Sequence, residues 1–549
     1  MNVAELFVQC LENEGVEYIF GVPGEENEAF LFALEKSSIE FVPTRHEQGA
    51  AFIANVLGRL TGKAGVCLST LGPGATNLLT GVADAYLDKA PLVALTAQGG
   101  TDRMHHESHQ LIDINQMFAA ITKWNTSITE INTVAEVVRK AFKVAEQEKP
   151  GPTQIELPED LADIEIDIIS SLSRTSTRRP APDSVAVEQA ATIISQAQQV
   201  LILAGNGAIR TRASASLTQL SKQYNIPVAN TFMGKGAISA QVETAVGTVG
   251  LGFKDYVIET FEKADVIICI GYDIAEYDPK NWHIGSGKQI IHVDFEYAEV
   301  YREYIPAVEI VGDLALSIEK LTAALDGTQP QENWYKDIQE RVRTSIKQFR
   351  LPDDSNYFNV PAVLHVVREA LPENGLVISD VGSHKMWIAR NFDTYCPNGC
   401  IISNGLAAMG IALPGGIAAK IADANRPVIA MMGDGGAMMN IQELETAKRL
   451  GRGYIIMVLN DNNYGLIEWK QRRSENKSFG TVLSNPDFVA LAESFDIKGY
   501  KPATIAHLRE ILNNSIAERE LCLIEVPIDT EVNMQLVDEL EQYFAAEEK

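Results

Sequence analysis

Short runs of aliphatic and β-branched residues alternate with longer amphipathic stretches along this sequence. Strands that alternate with helices indicate βαβ units, in which helices cover both faces of a parallel sheet. We therefore predict an α/β fold. The runs predict strands at 66–69, 92–96, 200–204, 266–270, 290–293, 428–432 and 455–460.

The chain of 549 residues is too long for one core, because single hydrophobic cores stop growing at roughly 250 to 300 residues. Two polar segments without apolar periodicity, 170–184 and 325–334, are typical of linkers. We predict three doubly wound parallel-sheet domains, at 1–165, 183–325 and 350–535, the central one Rossmann-like.

The charge balance constrains the ligands. There are 46 basic and 73 acidic residues, for a net charge of -27, which argues against partners such as nucleic acid or an anionic membrane surface. An anionic ligand then needs a metal ion or backbone amides to hold it.

The apolar region at 401–432 is interrupted by polar residues, and the amino terminus lacks a signal-peptide pattern. We expect a cytoplasmic protein without spanning helices, in which all six cysteines are free thiols.

The central segment contains an incomplete dinucleotide fingerprint. Gly205 and Gly207 directly follow a predicted strand, but Arg210 stands where a small residue is needed. We interpret this as a glycine turn between a strand and a helix. A nicotinamide oxidoreductase is the alternative that it leaves open.

A glycine-rich turn follows the strand predicted at 428–432. The run Gly433-Asp434-Gly435-Gly436 would let backbone amides approach an anion at the start of the next helix. Asp461 follows 27 residues later, after the next predicted strand. The carboxyl ends of neighbouring parallel strands meet at one sheet edge, so the two acids can share a Mg²⁺ ion.

This GDG turn, followed by Asn460-Asp461-Asn462-Asn463, resembles the signature of thiamine-diphosphate enzymes. The resemblance implies that Asp434 and Asp461 are side-chain ligands of the metal, Mg²⁺, and that Asn463 is a backbone-carbonyl ligand. The family more often has Asn where Asp461 stands, and Asp461 is similar to the residue of FAD-independent acetolactate synthases.

The resemblance extends over essentially the whole chain. Segments similar to acetolactate synthases lie at 21–27, 67–96, 109–110, 122–125, 231–238, 271–279, 379–390, 404–419 and 464–471. It implies an N-terminal pyrimidine-binding domain, a central domain and a C-terminal domain that binds diphosphate and magnesium.

Three catalytic residues are implied by the same resemblance. Glu47 corresponds to the acid that activates the aminopyrimidine ring of thiamine diphosphate, and Gln110 to a glutamine near the reacting centre. Met409 corresponds to the residue that holds the cofactor bent. Further cofactor-binding residues are expected to be Gly382, Ser383, His384, Gly433, Asp434, Gly435, Gly436, Ala437, Asp461 and Tyr464.

The implied activity is that of an acetolactate synthase, which decarboxylates pyruvate and joins the product to a second 2-oxo acid. In the family the activating acid and the diphosphate site come from different subunits, so a homodimer or a dimer of dimers is expected. The segment at 271–279 is similar to the catabolic type, so we expect no FAD. The sequence leaves a regulatory subunit open.

Two other functions stay open. The adjacent His105 and His106 are compatible with a 2-oxo-acid decarboxylase that protonates its intermediate and releases an aldehyde. A non-catalytic scaffold or regulatory relative is the alternative of another class, although such relatives usually lose Glu47 or a magnesium-binding acid.

Overall fold

The computed structural model describes residues 1–167, 171–175, 178–283 and 287–547. They form three parallel sheets of six strands each, covered by helices, which confirms the predicted α/β fold. The seven predicted strands are all present.

The first sheet contains the strands β1 (Tyr18–Gly21), β2 (Glu40–Pro43), β3 (Gly65–Ser69), β4 (Leu92–Gln98), β5 (Trp124–Ser127) and β6 (Pro152–Pro158). Its helices are α1 (Val3–Glu14), α2 (Glu28–Glu35), α3 (Glu47–Thr61), α4 (Pro73–Leu87), α5 (Ile114–Ala119), α6 (Val134–Glu146) and α7 (Glu159–Ala162). The strand order is β2-β1-β3-β4-β6-β5. All residues of β4 and β6 are buried, as expected of parallel strands covered on both faces.

The second sheet contains β7 (Val200–Ala204), β8 (Val228–Asn230), β9 (Ala245–Thr248), β10 (Val266–Ile270), β11 (Gln289–Asp294) and β12 (Val308–Val311). Its helices are α8 (Ser184–Gln196), α9 (Asn206–Arg210), α10 (Ser214–Tyr224), α11 (Ile258–Lys263), α12 (Leu314–Ala324) and α13 (Lys336–Lys347). The order β12-β11-β10-β7-β8-β9 is that of the Rossmann fold.

The third sheet contains β13 (Leu376–Ser379), β14 (Cys400–Ile402), β15 (Val428–Gly433), β16 (Ile455–Asn460), β17 (Lys498–Tyr500) and β18 (Cys522–Pro527). Its helices are α14 (Val360–Ala370), α15 (Ser383–Asn391), α16 (Ala412–Ala422), α17 (Asp434–Ala437), α18 (Glu443–Leu450), α19 (Gly465–Glu475), α20 (Phe488–Ser494), α21 (Ile505–Glu518) and α22 (Glu531–Glu547). The order β14-β13-β15-β16-β18-β17 repeats the topology of the first sheet.

The first and third sheets are joined by a shared apolar core. Phe52 and Val56 of α3 are buried in the same cluster as Ile417 of α16 and Ile378 of β13. Gly415 allows this approach, because a Cβ there would lie 3.2 Å from side-chain atoms of both Val56 and Ile378. The packing of α3 fixes the position of Glu47, its first residue, relative to the third sheet.

The strands of the three sheets lie within 18–158, 200–311 and 376–527, and the exact limits of the domains stay a prediction. Residues 170, 176 and 177 of the first predicted linker lie outside the described residues. All six cysteines are free, as predicted. Within the described part of the chain, no helix is both long and apolar enough to cross a membrane.

Candidate active site

A cavity of about 160 Å³ lies at the carboxyl ends of β13, β15 and β16. This is the switch point of the third sheet, because the chain leaves β13 in opposite directions to reach β14 and β15, and open α/β sheets bind ligands at such points. The predicted site residues that line the cavity are Gly382, Ser383, His384, Met409, Gly433, Asp434, Gly435, Gly436, Asp461, Asn463 and Tyr464.

The two predicted metal-binding acids meet in this cavity. Asp434 follows β15 and Asp461 follows β16, and these strands pair side by side. Asp434 is 1% exposed. Burial, and then the neighbouring Asp434, raise the pKa of Asp461 to about 7. Two carboxylates this close in a buried place are best stabilised by a shared cation.

The remaining donors at the cavity fit magnesium better than zinc. Among the described residues, no three His, Cys, Asp or Glu side chains lie together as a metal site, so further ligands must be backbone, bound-cofactor or water oxygens. Asn463 lines the cavity, and its amide oxygen is buried without a hydrogen-bond partner. Its backbone N–H donates to Oδ1 of Asp461 at 3.1 Å.

Glycines in the turn and at the start of α19 leave room that other residues would fill. A Cβ at Gly435 would lie 2.8 Å from the ring of Tyr464, and one at Gly465 would lie 2.4 Å from Oδ2 of Asp461. The helix was expected to begin after this turn, but Asp434 itself begins the one-turn helix α17. Ala437, the last residue of α17, is buried and does not line the cavity.

Another part of the cavity wall is the start of α15, which contributes Ser383 and His384. His384 is buried, which lowers its pKa to about 4 and keeps the ring neutral at physiological pH. Its Nε2 atom is buried without a hydrogen-bond partner. A neutral ring nitrogen beside Gly382 and Ser383 can accept or donate a hydrogen bond to a polar ligand.

Asp380 holds the loop that carries Met409, a relationship that the sequence did not reveal. The Asp380 carboxylate is fully buried and accepts hydrogen bonds from the backbone N–H groups of Gly410 at 2.9 and 3.0 Å and of Ala412 at 3.1 Å. It thereby fixes the residue that follows Met409. In the sequence, the position of Asp380 directly after the strand β13 is the feature that could have indicated a role at the site.

Asn485 is a second residue that sequence reasoning missed. Its side-chain amide donates to Oδ2 of Asp434 at 2.5 Å and to Oδ1 of Asn460 at 3.0 Å. It lies 51 residues after Asp434 in the chain. Asn485 therefore helps to orient the Asp434 carboxylate.

Glu47 and Gln110 lie in the first domain and do not line this cavity. Glu47 begins α3 and is 7% exposed, whereas Gln110 is exposed in a turn. Both contact the start of α4: a Cβ at Gly74 would lie 3.1 Å from Oε1 of Glu47, and one at Gly72 would lie 2.6 Å from the backbone oxygen of Gln110. Within one chain, the two predicted catalytic residues of the first domain therefore lie apart from the cavity that is predicted to hold the cofactor.

Glu443 links the third domain to the segment that precedes Glu47. It is the fully buried first residue of α18, and its Oε1 accepts hydrogen bonds from the backbone N–H groups of Arg45 at 3.1 Å and His46 at 3.0 Å. These residues directly precede Glu47. Gly49 leaves space for the carboxylate, because a Cβ there would lie 2.6 Å from Oε1 of Glu443.

Comparison with known protein families agrees with this arrangement. The N-terminal thiamine pyrophosphate-binding domain of thiamine pyrophosphate enzymes matches residues 1–117, their central domain matches 187–321, and their C-terminal thiamine pyrophosphate-binding domain matches 380–526. The fold and the site therefore define a thiamine pyrophosphate enzyme.

Relatives extend the match over nearly the whole chain. An acetolactate synthase of Bacillus subtilis is 32% identical over 98% of this chain and 95% of the relative. A catabolic acetolactate synthase of Raoultella terrigena is 32% identical over 98% and 97% of the two chains. The large subunit of acetolactate synthase isozyme 2 of Escherichia coli is 31% identical over 96% of each. The chain belongs to the acetolactate synthase family.

Proposed function

We propose that this chain decarboxylates pyruvate and joins the remaining two-carbon unit to a second 2-oxo acid, giving 2-acetolactate. The observation that carries the proposal is the pairing of Asp434 and Asp461 at one glycine-lined cavity. This pairing occurs in a chain that matches acetolactate synthases over 98% of its length. We further propose a cytoplasmic location.

The cofactors are thiamine diphosphate and Mg²⁺. Asp434, Asp461 and the backbone of Asn463 would hold the metal, and the glycine turn and the start of α15 would hold the diphosphate. Thiamine diphosphate, when bound, supplies the nucleophilic carbon that attacks the 2-oxo group. Met409, which lines the cavity, would pack against the bound cofactor and hold it bent, and Asp380 fixes the loop on which Met409 lies.

Glu47 is the activating acid, and it acts on a cofactor held by a second copy of the chain. The separation of Glu47 from the cavity within one chain supports a homodimer as the smallest active unit. A buried carboxylate that bonds the aminopyrimidine would promote proton movement between the two cofactor rings. Gln110 lies beside Gly72, at the start of α4, and would contact the substrate.

No flavin is required in this proposal. The backbone N–H of Asn206, at the start of α9, donates to the two oxygens of the Glu276 carboxylate at 3.1 and 3.0 Å, where a dinucleotide phosphate would otherwise bind. Lys149 pairs with Asp273, which follows β10, at 2.6 Å and with Asp294, the last residue of the neighbouring strand β11, at 3.0 Å. The same contacts disfavour the nicotinamide alternative. A stoichiometric flavin spectrum of the purified protein would contradict this part of the proposal.

A simple decarboxylase is the rival within the class. His105 and His106 are exposed and stack edge to face at 4.7 Å, and Nδ1 of His106 lies 2.9 Å from the backbone oxygen of Glu107. Their exposure favours a solvated role. No residue is assigned to bind the carboxylate of the second 2-oxo acid. Of the two lysines near the site motifs, Lys385 is buried and donates to Asn404 at 3.2 Å, whereas Lys470 is exposed.

The proposal is tested by depletion and reconstitution. Protein treated with a chelator and dialysed should form no 2-acetolactate from pyruvate, and Mg²⁺ with thiamine diphosphate together should restore it. Carbon dioxide release that does not depend on either addition would contradict the proposal. A protein without this activity but with bound cofactor would favour the scaffold alternative.

A further inference from the structure

A second cleft, of about 90 Å³, lies where the three sheet domains meet. None of its lining residues lines the cofactor cavity. The first and central domains and the segment between them contribute most of it, and Asn398 of the third domain completes it. Five cationic side chains line this junction cleft: Arg59, Lys89, Arg179, Arg210 and Arg212.

The acids at the junction cleft do not balance these cations. Two acidic residues line it, Glu146 and Glu148. Glu148 pairs with Arg179 at 3.0 Å and with Arg210 at 3.2 Å. Glu146 is engaged by Arg174 at 2.6 Å, a residue that does not line the cleft. The side chains that line the cleft thus include more cations than acids, although Asp273, Asp294 and Glu276, which do not line it, also act electrostatically on Arg210.

Two of the cations have no acidic partner. Arg59 pairs with Asp88 at 3.1 Å, but neither Lys89 nor Arg212 forms an ion pair or a side-chain hydrogen bond with any residue that the structure describes. The ammonium group of Lys89 lies over the ring of Tyr86, 5.3 Å from its centroid. Both side chains are therefore available to an anion.

Arg210 provides an independent indication of a ligand. Its side chain is 10% exposed, and its Nε atom donates to Glu148 at 3.2 Å. Its Nη1 atom is buried without a hydrogen-bond partner. A buried guanidinium donor left unpaired is costly, and an anion in the cleft could pair it after a small movement of the side chain.

The volume and the donors select the class of ligand. A space of about 90 Å³ accommodates an ion of the size of phosphate. Guanidinium groups bind tetrahedral oxyanions through paired hydrogen bonds, and an ammonium group adds a compact charge. We propose that the junction cleft binds a phosphate group, either as inorganic phosphate or as the phosphoryl end of a small metabolite, and that this anion ties the domains together.

The test uses the protein loaded with thiamine diphosphate and Mg²⁺, so that the diphosphate position of the cofactor cavity is filled. Titration calorimetry with inorganic phosphate should show one saturable site per chain. Phosphate should also raise the midpoint of thermal unfolding more than chloride does at equal ionic strength, because the anion binds the folded junction.

The variants remove the two unpaired cations without breaking the pairs of Glu148. Lys89 and Arg212 have φ angles of 55° and 62°, and asparagine tolerates this left-handed region better than most residues. The double variant Lys89→Asn with Arg212→Asn should bind phosphate about tenfold more weakly or worse, which corresponds to a loss of about 1.4 kcal/mol. Arg302→Ser is the matched control, since that side chain is 93% exposed and lies outside the cleft.

Equal phosphate affinity in the double variant and the parent would overturn the proposal, as would equal stabilisation by chloride. A second titration with glycerol phosphate distinguishes the two sources. Tighter binding than that of inorganic phosphate would identify a phosphorylated metabolite, and weaker binding would identify the free ion.

Discussion

The side-chain amide of Asn77 donates a hydrogen bond of 2.9 Å to Oε2 of Glu47. Asn77 lies on α4 and Glu47 begins α3, so two packed helices orient the carboxylate. Since Glu47 is nearly buried, its direction is set by the protein rather than by solvent. This arrangement suits a catalytic acid that must meet one atom of a bound cofactor.

Glu47→Gln should reduce turnover by about 10²- to 10⁴-fold, because it removes proton transfer but keeps the shape of the side chain. Cofactor affinity should change little, since Glu47 is not among the residues proposed to hold the magnesium ion. Steady-state kinetics and cofactor titration measure the two effects. Glu40→Gln, at an exposed position of β2, is the control. Turnover close to that of the parent would refute the role of Glu47.

Asp434→Ala should weaken thiamine diphosphate binding in the presence of Mg²⁺, because one of two carboxylates in the cavity is lost. We expect a loss of at least about tenfold, or 1.4 kcal/mol, measured by calorimetry. Asp354→Ala, which changes an exposed residue, should bind like the parent. An unchanged affinity in the Asp434 variant would show that the metal is held elsewhere.

Glu443→Ala should lower kcat by roughly 10- to 100-fold, because it frees the segment before Glu47 and misplaces that acid. The cofactor affinity should stay near that of the parent. Glu443→Gln retains an acceptor for the N–H groups of Arg45 and His46 and should restore part of kcat. The control is Glu445→Gln, which removes a half-exposed pair with Arg449. Parallel losses of kcat and cofactor affinity would indicate general damage instead of positioning.

Asp380→Asn should lower both the thermal midpoint and the cofactor affinity. The amide replaces one oxygen that accepts from Gly410 and Ala412, and unpaired buried N–H groups cost about 1 to 3 kcal/mol each. Differential scanning calorimetry and cofactor titration test this together. If Asp354→Asn is as destabilising, the contacts with the Met409 loop are not the cause.

The sheet-forming parts of the fold could be predicted because buried parallel strands are apolar on both faces. All residues of β7 and β10 are buried, and both were predicted. The interior strands β6 and β13 are also fully buried but were not predicted. Two other strands that were not predicted, β2 and β5, lie at the edges of the first sheet: β2 has exposed residues at both ends, and all four residues of β5 are half-buried. Edge strands need less apolar surface, so hydrophobic runs do not reveal them.

Contacts between site residues could be predicted where their spacing along the chain places them at the ends of neighbouring strands. Asp434 and Asp461 follow neighbouring strands, so their meeting is a consequence of the parallel sheet. Glu443 and Arg45 are 398 residues apart, and Asp380 is 30 residues from Gly410. No local pattern encodes such contacts, since they depend on how whole domains and loops pack.

The fate of the two-carbon unit left after pyruvate loses carbon dioxide tests the central claim most directly. The reconstituted enzyme is given ¹³C-labelled pyruvate alone, and the products are quantified by NMR before 2-acetolactate decays. We predict 2-acetolactate as the main product, formed from two pyruvate molecules with release of one carbon dioxide. Acetaldehyde as the main product would contradict the account and make His105 and His106 the proton donors to test next.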